Sequence, residues 1–242
     1  MRLSILGYGK MGHLVEKTAL DQGLEISSII DNEKDWSDKM ADFKSSDVAI
    51  DFSMPTTAVD NICRAFDNGV PIVVGTTGWL QNLKQVEELC KKSNGKLLHG
   101  SNFSVGVNIF FKINQLLSKL MEIHDNYHPS ITEIHHIHKK DAPSGTAIHL
   151  ANDIIDNVPH LNEWRLTPCQ AGCNTIPVTA LREGEVPGTH EITWKSDIDK
   201  IEIRHTAFSR EGFAQGAVAA ARWLAKQPSG IYKFEDVFEE IQ

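Results

Sequence analysis

Residues 3–12, Leu-Ser-Ile-Leu-Gly-Tyr-Gly-Lys-Met-Gly, decide the fold of the first part of the chain. A strand-like apolar run is followed by the pattern Gly-x-Gly-x-x-Gly, and residues 11–22 then have a helical pattern. In that context the first glycine allows a tight turn, the second lets the backbone approach a pyrophosphate, and the third lets the helix pack closely on the strand. The stretch therefore predicts a dinucleotide-binding turn, and the alternative is a turn with a purely structural role.

Short apolar runs alternate with helix-like stretches through the first hundred residues. Strands are predicted at residues 3–6, 26–30, 47–52, 71–74 and 96–99, and helices at 11–22, 55–68 and 80–92. Such alternation is typical of βαβ units with a parallel sheet, and right-handed crossovers then give a Rossmann-like α/β domain.

Asp31 stands at the end of the second predicted strand, about 20 residues after the glycine turn, as a ribose-binding carboxylate would. Its carboxylate can accept hydrogen bonds from ribose hydroxyls, which favours NAD over NADP. Lys10 and Lys34 lie close enough in sequence to offset a 2′-phosphate, although both also fit an ordinary solvated surface. The sequence therefore leaves NAD and NADP open as cofactors.

Two other segments follow predicted strands and consist largely of small or hydroxyl residues. They are Gly75-Thr76-Thr77-Gly78 and Ser101-Asn102-Phe103-Ser104. Ligands of open α/β sheets bind beyond the carboxyl ends of the strands, so both segments are candidates to contact a nicotinamide ring. Taken alone, each segment is more often an ordinary loop between a strand and a helix.

The pattern changes after Ser104. One amphipathic helix is predicted over residues 107–123, with Phe110, Ile113, Leu117 and Leu120 on one face. Strands are predicted at 130–138, 175–181, 190–194 and 200–205, and helices return at 214–226 and 234–241. We therefore expect a Rossmann-like domain of residues 1–104 and 215–242. Residues 105–214 should form a second α+β domain with a mixed or antiparallel sheet.

The densest cluster of potentially functional side chains in the chain is at residues 133–147. Their sequence is Glu-Ile-His-His-Ile-His-Lys-Lys-Asp-Ala-Pro-Ser-Gly-Thr-Ala. If residues 131–139 are extended, His135 and Lys139 share one face and His136 and His138 share the other. A helix that begins near Thr146 would present N–H groups and hydroxyls of residues 144–146 to an anion.

Three interpretations of this segment compete. The first is a metal site of His136 and His138, to which His124 or His128 adds a third ligand, but no familiar metal motif supports it. The second is an edge strand with exposed histidines. The third is an active site for a small dianionic substrate, in which imidazoles and ammonium groups supply charge and protons.

Composition limits the classes of partner. The chain has 24 Lys and Arg against 32 Asp and Glu, a net charge of −8, which argues against general binding to nucleic acid or anionic membranes. An acidic ligand therefore needs a local basic cluster. No apolar run has the length of a membrane span. Four cysteines, Cys63, Cys90, Cys169 and Cys173, are typical of reduced thiols in a cytoplasmic protein.

Together these residues resemble the 4-hydroxy-tetrahydrodipicolinate reductase (dihydrodipicolinate reductase) family, which acts in the diaminopimelate route to lysine. Segment 133–147 carries the most specific part, Glu-x-His-His-x-x-Lys-x-Asp-Ala-Pro-Ser-Gly-Thr-Ala. Segments 7–12, 51–55, 75–78, 101–108, 190–191 and 210–217 also match, so the resemblance covers essentially the whole chain. It implies an NAD(P)H-dependent enzyme that reduces 4-hydroxy-tetrahydrodipicolinate, after loss of water, to tetrahydrodipicolinate.

The resemblance also implies roles for individual residues. His135 would donate and accept a proton and Lys139 would donate one, whereas His136, Gly145 and Thr146 would bind substrate carboxylates. The implied cofactor-binding residues are Gly7, Tyr8, Gly9, Lys10, Met11 and Gly12 at the glycine turn, Asp31 at the adenosine ribose, and Gly75, Thr76, Thr77, Ser101, Asn102, Phe103 and Ser104 at the nicotinamide. No metal is expected. Residues 105–214 would bind the small dicarboxylate substrate and join a homotetramer through their sheet.

Overall fold

The computed structural model describes residues 1–168, 172 and 174–238. It divides into two compact units, one of Met1–Val105 with Glu211–Gln242 and one of Gly106–Arg210. Among the described residues, no helix has both the length and the apolar character needed to cross a bilayer.

The elements up to residue 99 are β1 Arg2–Leu6, α1 Lys10–Asp21, β2 Glu25–Ile30, α2 Glu33–Lys44, β3 Val48–Asp51, α3 Pro55–Asp67, β4 Ile72–Val74, α4 Leu83–Ser93 and β5 Lys96–His99. They are followed by α5 Val105–Met121, β6 His128–His135, α6 Gly145–Asn157, β7 Glu163–Leu166, β8 Thr175–Arg182, β9 Gly188–Lys195 and β10 Lys200–Ala207. The chain ends with α7 Glu211–Leu224 and β11 Gly230–Lys233. Short 3₁₀ helices occupy Leu80–Asn82 and Phe234–Phe238.

The first unit contains a parallel sheet in the order β11-β5-β4-β3-β1-β2. The central strands β1, β3 and β4 are buried on both faces, which explains their nearly continuous apolar runs. Helices α1 and α7 join the core on one face, and α2, α3 and α4 join a second core on the other. The Rossmann-like architecture is confirmed. The loops after β1, β3, β4 and β5 therefore meet at one edge of the sheet.

Several elements of this unit differ from the predictions. Helix α2 and strand β11 have no counterpart among the predicted elements. The predicted helix at 234–241 is a 3₁₀ helix over Phe234–Phe238, and residues 239–241 lie outside the described residues.

Cys63 and Cys90 are free thiols, whereas Cys169 and Cys173 also lie outside the described residues.

The second unit contains a five-stranded sheet in the order β10-β9-β6-β8-β7. Strands β10, β9 and β6 pair antiparallel, and β6, β8 and β7 pair parallel, so the predicted mixed sheet is confirmed. Ile131, Ile192 and Trp194 of the sheet form one core cluster with side chains of α5 and α6.

Two sequence predictions in this unit are wrong in detail. Ile113 and Leu120, placed on the apolar face of α5, are 45% and 61% exposed, and the buried face contains Asn108, Asn114 and Ser118 as well as Phe110. The strand predicted to reach His138 ends at His135. The Lys139 N–H donates to the His136 carbonyl (3.1 Å), so residues 136–139 form a turn and the expected alternation of faces stops at His135.

Candidate active site

The glycine turn has the local geometry that each of its glycines requires. Gly7 has φ +83°, and a Cβ there would lie 2.5 Å from the Phe52 carbonyl oxygen. A Cβ at Gly12 would lie 2.3 Å from the Gly7 carbonyl oxygen. Among the described residues, no atom lies within 4 Å of a Cβ placed on Gly9, and no side chain caps the start of α1. The turn therefore leaves an open cradle beside a helix N-terminus, which fits a pyrophosphate.

A pocket of about 490 Å³ adjoins this turn. Its lining comes from the glycine turn, the end of β2, the start of α2 and the start of α3: Gly7, Tyr8, Gly9, Ile30, Asp31, Asn32, Glu33, Trp36, Phe52, Ser53, Met54, Thr57, Asp60 and Asn61. Asp31 Oδ1 accepts the Tyr8 backbone N–H (2.6 Å). Among the described lining residues there is no lysine or arginine, and Lys10 and Lys34 are exposed outside it. The size suits the adenosine half of a dinucleotide.

Asp51, at the end of β3, ties two neighbouring loops together. Its carboxylate is fully buried and accepts hydrogen bonds from the Thr76 hydroxyl, from Asn61 Nδ2 (2.6 Å) and from Ser53 Oγ (3.0 Å). Burial raises the pKa of Asp51, although these hydrogen bonds act to lower it. The Thr76 hydroxyl also accepts the Ser53 N–H (2.8 Å). These hydrogen bonds therefore hold the loops after β3 and β4 together.

The loop residues predicted to surround a nicotinamide differ in exposure. Thr77 and Ser101 are exposed, whereas Thr76 is buried against Asp51. The Phe103 side chain lies in the hydrophobic core, with its ring centroid 4.7 Å from that of Phe234. The Ser104 N–H donates to Asn102 Oδ1 (2.9 Å). Phe103 can therefore present only its backbone to a ligand.

In the second unit, Glu133 lies at the centre of a buried polar cluster at the end of β6. The carboxylate is 0% exposed. Glu133 Oε1 pairs with Arg182 Nη2 (3.2 Å), and Oε2 accepts the Ser144 N–H (3.0 Å). Burial alone would raise the pKa of Glu133, but contacts with His190 and Ser144 outweigh it and lower the pKa to about 2. Glu133 is therefore ionised across the physiological pH range.

His135 and His190 lie beside this carboxylate. His135 Nδ1 is 3.6 Å and His190 Nε2 is 3.7 Å from Glu133 Oε2, and the two ring centroids are 5.0 Å apart. His190 Nε2 also lies 3.1 Å from Ser144 Oγ. Burial, followed by the charge of His190, lowers the pKa of His135 to about 4. The free protein therefore holds a neutral His135 at pH 7.

Arg182 fixes the loop that follows β6. Its side chain donates to the backbone carbonyls of Lys139 (3.3 Å) and Asp141 while it pairs with Glu133. Lys139 Nζ contacts the Asp141 carboxylate at 2.7 and 2.9 Å. That carboxylate is 58% exposed, so an incoming anion can compete with it for the ammonium group.

Helix α6 begins where this loop ends. Ser144 is the N-cap, and its Oγ accepts the Ala147 N–H (3.2 Å). The backbone N–H groups of Gly145 and Thr146 donate no hydrogen bond within the described part of the chain, and a Cβ on Gly145 would meet open space. His136 is half-buried, and its Nδ1 likewise finds no partner among the described residues. The backbone N–H groups of Gly145 and Thr146 can receive a carboxylate.

The structure places the predicted metal-ligand histidines differently from the sequence prediction. His128 and His136 lie at opposite ends of β6, and the rings of His136 and His138 are 6.0 Å apart. The potential ligand atoms that do converge, within 4.8 Å, belong to Glu133, His135 and His190. Both oxygens of that carboxylate already bind protein donors, so a cation would have to displace them.

Sequence reasoning missed Arg182 and gave no role to Glu133 or His190. Arg182 is 49 residues from Glu133, and parallel pairing of β6 with β8 places it opposite His135. The available signal was weak. An arginine directly after the predicted strand 175–181 is a charged residue at a strand end, where site residues of parallel sheets collect.

Comparison with known proteins gives consistent matches over the whole chain. The model for the N-terminus of dihydrodipicolinate reductase matches residues 1–103, and the model for its C-terminus matches 106–238. The 4-hydroxy-tetrahydrodipicolinate reductase of Christiangramia forsetii is 45% identical over 241 residues, which cover 100% of this chain and 99% of the relative. The Archaeoglobus fulgidus protein of that name is 37% identical over 263 residues, covering 99% and 100%.

A solved structure shares the fold. Dipicolinate-bound dihydrodipicolinate reductase from Paenisporosarcina sp. TG-14 matches with a TM-score of 0.78 at 20% identity, over 98% of this chain and 99% of that one.

Proposed function

Because the chain belongs to the dihydrodipicolinate reductase family, we propose that it reduces 4-hydroxy-tetrahydrodipicolinate, after loss of water, to tetrahydrodipicolinate with NADH or NADPH. The reaction belongs to the diaminopimelate route to lysine. The observation that carries the proposal is the end of β6, where buried His135 precedes a turn with Lys139 and a helix N-terminus. Two N–H groups at that N-terminus have no acceptor among the described residues. A small dicarboxylate needs such donors, a cation and one proton carrier.

The substrate carboxylates are assigned to the loop between β6 and α6. One carboxylate takes the N–H groups of Gly145 and Thr146, which have no other acceptor among the described residues, and we assign the half-buried His136 to the same carboxylate group. Lys139 supplies an ammonium group once the anion displaces the exposed Asp141 carboxylate. Charge-assisted hydrogen bonds of this kind are roughly twice as strong as neutral ones, and they draw electron density away from the ring.

The proton is assigned to His135, with Lys139 as a further donor. When bound, the reduced dinucleotide supplies a hydride to C4 of the conjugated imine. The resulting enamine takes one proton at C3. With a pKa of about 4, the free imidazole is neutral at pH 7, so His135 acquires its proton as the dianion binds and raises its pKa. Glu133, 3.6 Å from Nδ1, stabilises the imidazolium that forms.

The dinucleotide is assigned to the first unit. The open cradle of the glycine turn supports a pyrophosphate on the backbone of residues 7–12, with the Lys10 side chain near its charge. One carboxylate oxygen of Asp31 accepts the Tyr8 backbone N–H, and the other can accept a hydrogen bond from a hydroxyl of the adenosine ribose. Segments 75–77 and 101–104 are assigned to the nicotinamide, since both follow strands at the same edge of the sheet.

Assembly and location complete the proposal. We assign a homotetramer joined through the sheet of the second unit, whose face opposite the helices carries the half-buried Thr132, Ile134 and Thr193. Light scattering should then give about four times the chain mass of 27.0 kDa. The chain has four cysteines, and the two described ones, Cys63 and Cys90, are free thiols, which supports a cytoplasmic location.

Three histidine variants test the reaction. Loss of NADH absorbance is followed with substrate made in place by the preceding synthase. His135→Ala should lower kcat by roughly 10²–10⁴-fold, the usual effect of removing a general acid. His136→Ala should mainly raise KM, because it removes a ground-state contact. His138→Ala is the matched control, since this exposed imidazole contacts Glu185 and should leave kinetics unchanged.

The alternatives give different results. A redox-sensing NAD(P)-binding protein would bind NADH without turnover, and a different oxidoreductase would prefer another carbonyl or imine substrate. Activity should survive extensive chelation, because no metal takes part. A His135→Ala enzyme that keeps most of its kcat would refute the catalytic assignment.

A further inference from the structure

The pocket assigned to adenosine carries more negative charge than ribose recognition needs. Asp31, Glu33 and Asp60 line it, and the described lining residues include no cation. One carboxylate after β2 is sufficient to bind the ribose hydroxyls of NAD. Glu33 is the first residue of α2, just beyond the ribose-binding position, where a 2′-phosphate would extend.

Glu33 is also paired with a cation, Arg64. Arg64, near the end of α3, donates from Nη2 to both carboxylate oxygens of Glu33, at 2.8 and 2.9 Å. Its guanidinium carbon lies 4.9 Å from the ring centroid of Trp36, another lining residue. The guanidinium group therefore already lies beside the pocket, held by a carboxylate and a ring face. A planar guanidinium with free donors is the group that NADP-binding sites use for the 2′-phosphate.

We propose that Glu33 is a specificity-determining residue that disfavours NADPH in two ways, by repelling the 2′-phosphate and by occupying the Arg64 guanidinium that would otherwise bind it. The proposal rests on the dinucleotide assignment of the proposed function. It makes Arg64 a latent phosphate ligand, available once the carboxylate is gone. Asp31 remains the ribose ligand for either cofactor.

Two variants distinguish repulsion of the 2′-phosphate by Glu33 from occupation of the Arg64 guanidinium by Glu33. Glu33→Gln removes the charge at nearly constant shape, and Glu33→Gln/Arg64→Gln removes the latent ligand as well. Asp38→Asn is the matched control, because it deletes one exposed carboxylate on α2 outside the pocket lining. The measured quantity is the preference for NADPH over NADH. It is the ratio of their association constants (1/Kd) from calorimetry without substrate, and the ratio of their kcat/KM values with substrate.

Glu33→Gln should raise this ratio about tenfold, equivalent to about 1.4 kcal/mol. The double variant should lose most of that gain, and Asp38→Asn should leave the ratio within about twofold of wild type, as expected for a solvent-screened charge. An unchanged ratio in Glu33→Gln, or an equal gain in the double variant, would overturn the proposal. If the Kd ratio shifts as expected but no dicarboxylate is reduced, the proposed reaction fails and the role of Glu33 stands.

Discussion

Glu133→Gln is the variant that most directly tests the buried cluster of the second unit. The wild-type carboxylate is fully buried, and its pKa is about 2 against an ordinary value of 4.5. At 1.36 kcal/mol per pKa unit, ionised Glu133 contributes about 3 kcal/mol to the free energy of unfolding at pH 7. Glutamine removes that contribution and leaves Arg182 without its anionic partner, so we expect a loss of at least about 3 kcal/mol.

The pH dependence gives the loss a distinctive form. A carboxyl whose pKa is lowered by folding stabilises the fold fully above its unfolded pKa, and that stabilisation disappears as pH falls through the folded pKa. The difference in unfolding free energy between wild type and Glu133→Gln should therefore be constant from pH 8 to about 5.5. Below about pH 4.5 it should shrink by up to about 1.4 kcal/mol per unit.

Urea denaturation at pH 7, 5 and 3.5 measures this difference directly. The matched control is Glu191→Gln on β9, since Glu191 lies 3.5 Å from Arg204 in a partly exposed pair that should contribute less than about 1 kcal/mol. A loss below about 1 kcal/mol, or one of constant size from pH 7 to 3.5, would show that the Glu133 charge is not stabilised as the geometry indicates.

Two further predictions use the same structure. Binding of dipicolinate at pH 6 should take up close to one proton, because the pKa of His135 rises from about 4. Calorimetry in buffers of different ionisation enthalpy measures the number of protons taken up. Zero uptake would contradict the assignment of the proton to His135. Gly9→Ala should keep wild-type thermal stability and weaken NADH binding. Gly12→Ala should lower Tm, because its Cβ would lie 2.3 Å from the Gly7 carbonyl oxygen. Equal effects of the two variants would contradict the assignment of the pyrophosphate to the glycine turn.

Local sequence patterns were sufficient for most of the first unit because its central strands are buried apolar runs and its turn has no room for a side chain at Gly7 or Gly12. Helix α2 was missed because its mean character is polar. Its signal was present in the Asn32 N-cap and in Trp36, Met40 and Phe43, which are spaced as one helix face and pack towards the core. Strand β11 has only four residues, and it pairs with β5, more than a hundred residues earlier, so no local pattern could place it.

In the second unit, hydrophobicity alone misassigned faces. Helix α5 buries Asn114 and Ser118, and the Asn114 amide donates to the Leu150 carbonyl (3.0 Å), so a hydrogen bond replaces apolar contact. Its apolar Ile113 and Leu120 are left exposed within this unit. Alternation along β6 failed after His135 because the Glu183 N–H donates to the His135 carbonyl (2.8 Å), and the chain then turns. Both outcomes depend on partners distant in sequence.

The charges of the two assigned sites explain how an acidic protein handles two anionic ligands. A buried carboxylate in a site for a dianion would be unfavourable if its charge were free, but Arg182 and the Ser144 N–H neutralise Glu133. What remains for the substrate is the ammonium group of Lys139 and the N–H groups of Gly145 and Thr146, which donate to no acceptor in the described part of the chain. The adenosine pocket has the opposite character, because carboxylates line it and a ribose hydroxyl needs acceptors. The carboxylates of the adenosine pocket therefore repel the dianionic substrate, so selectivity follows from charge placement as well as from shape.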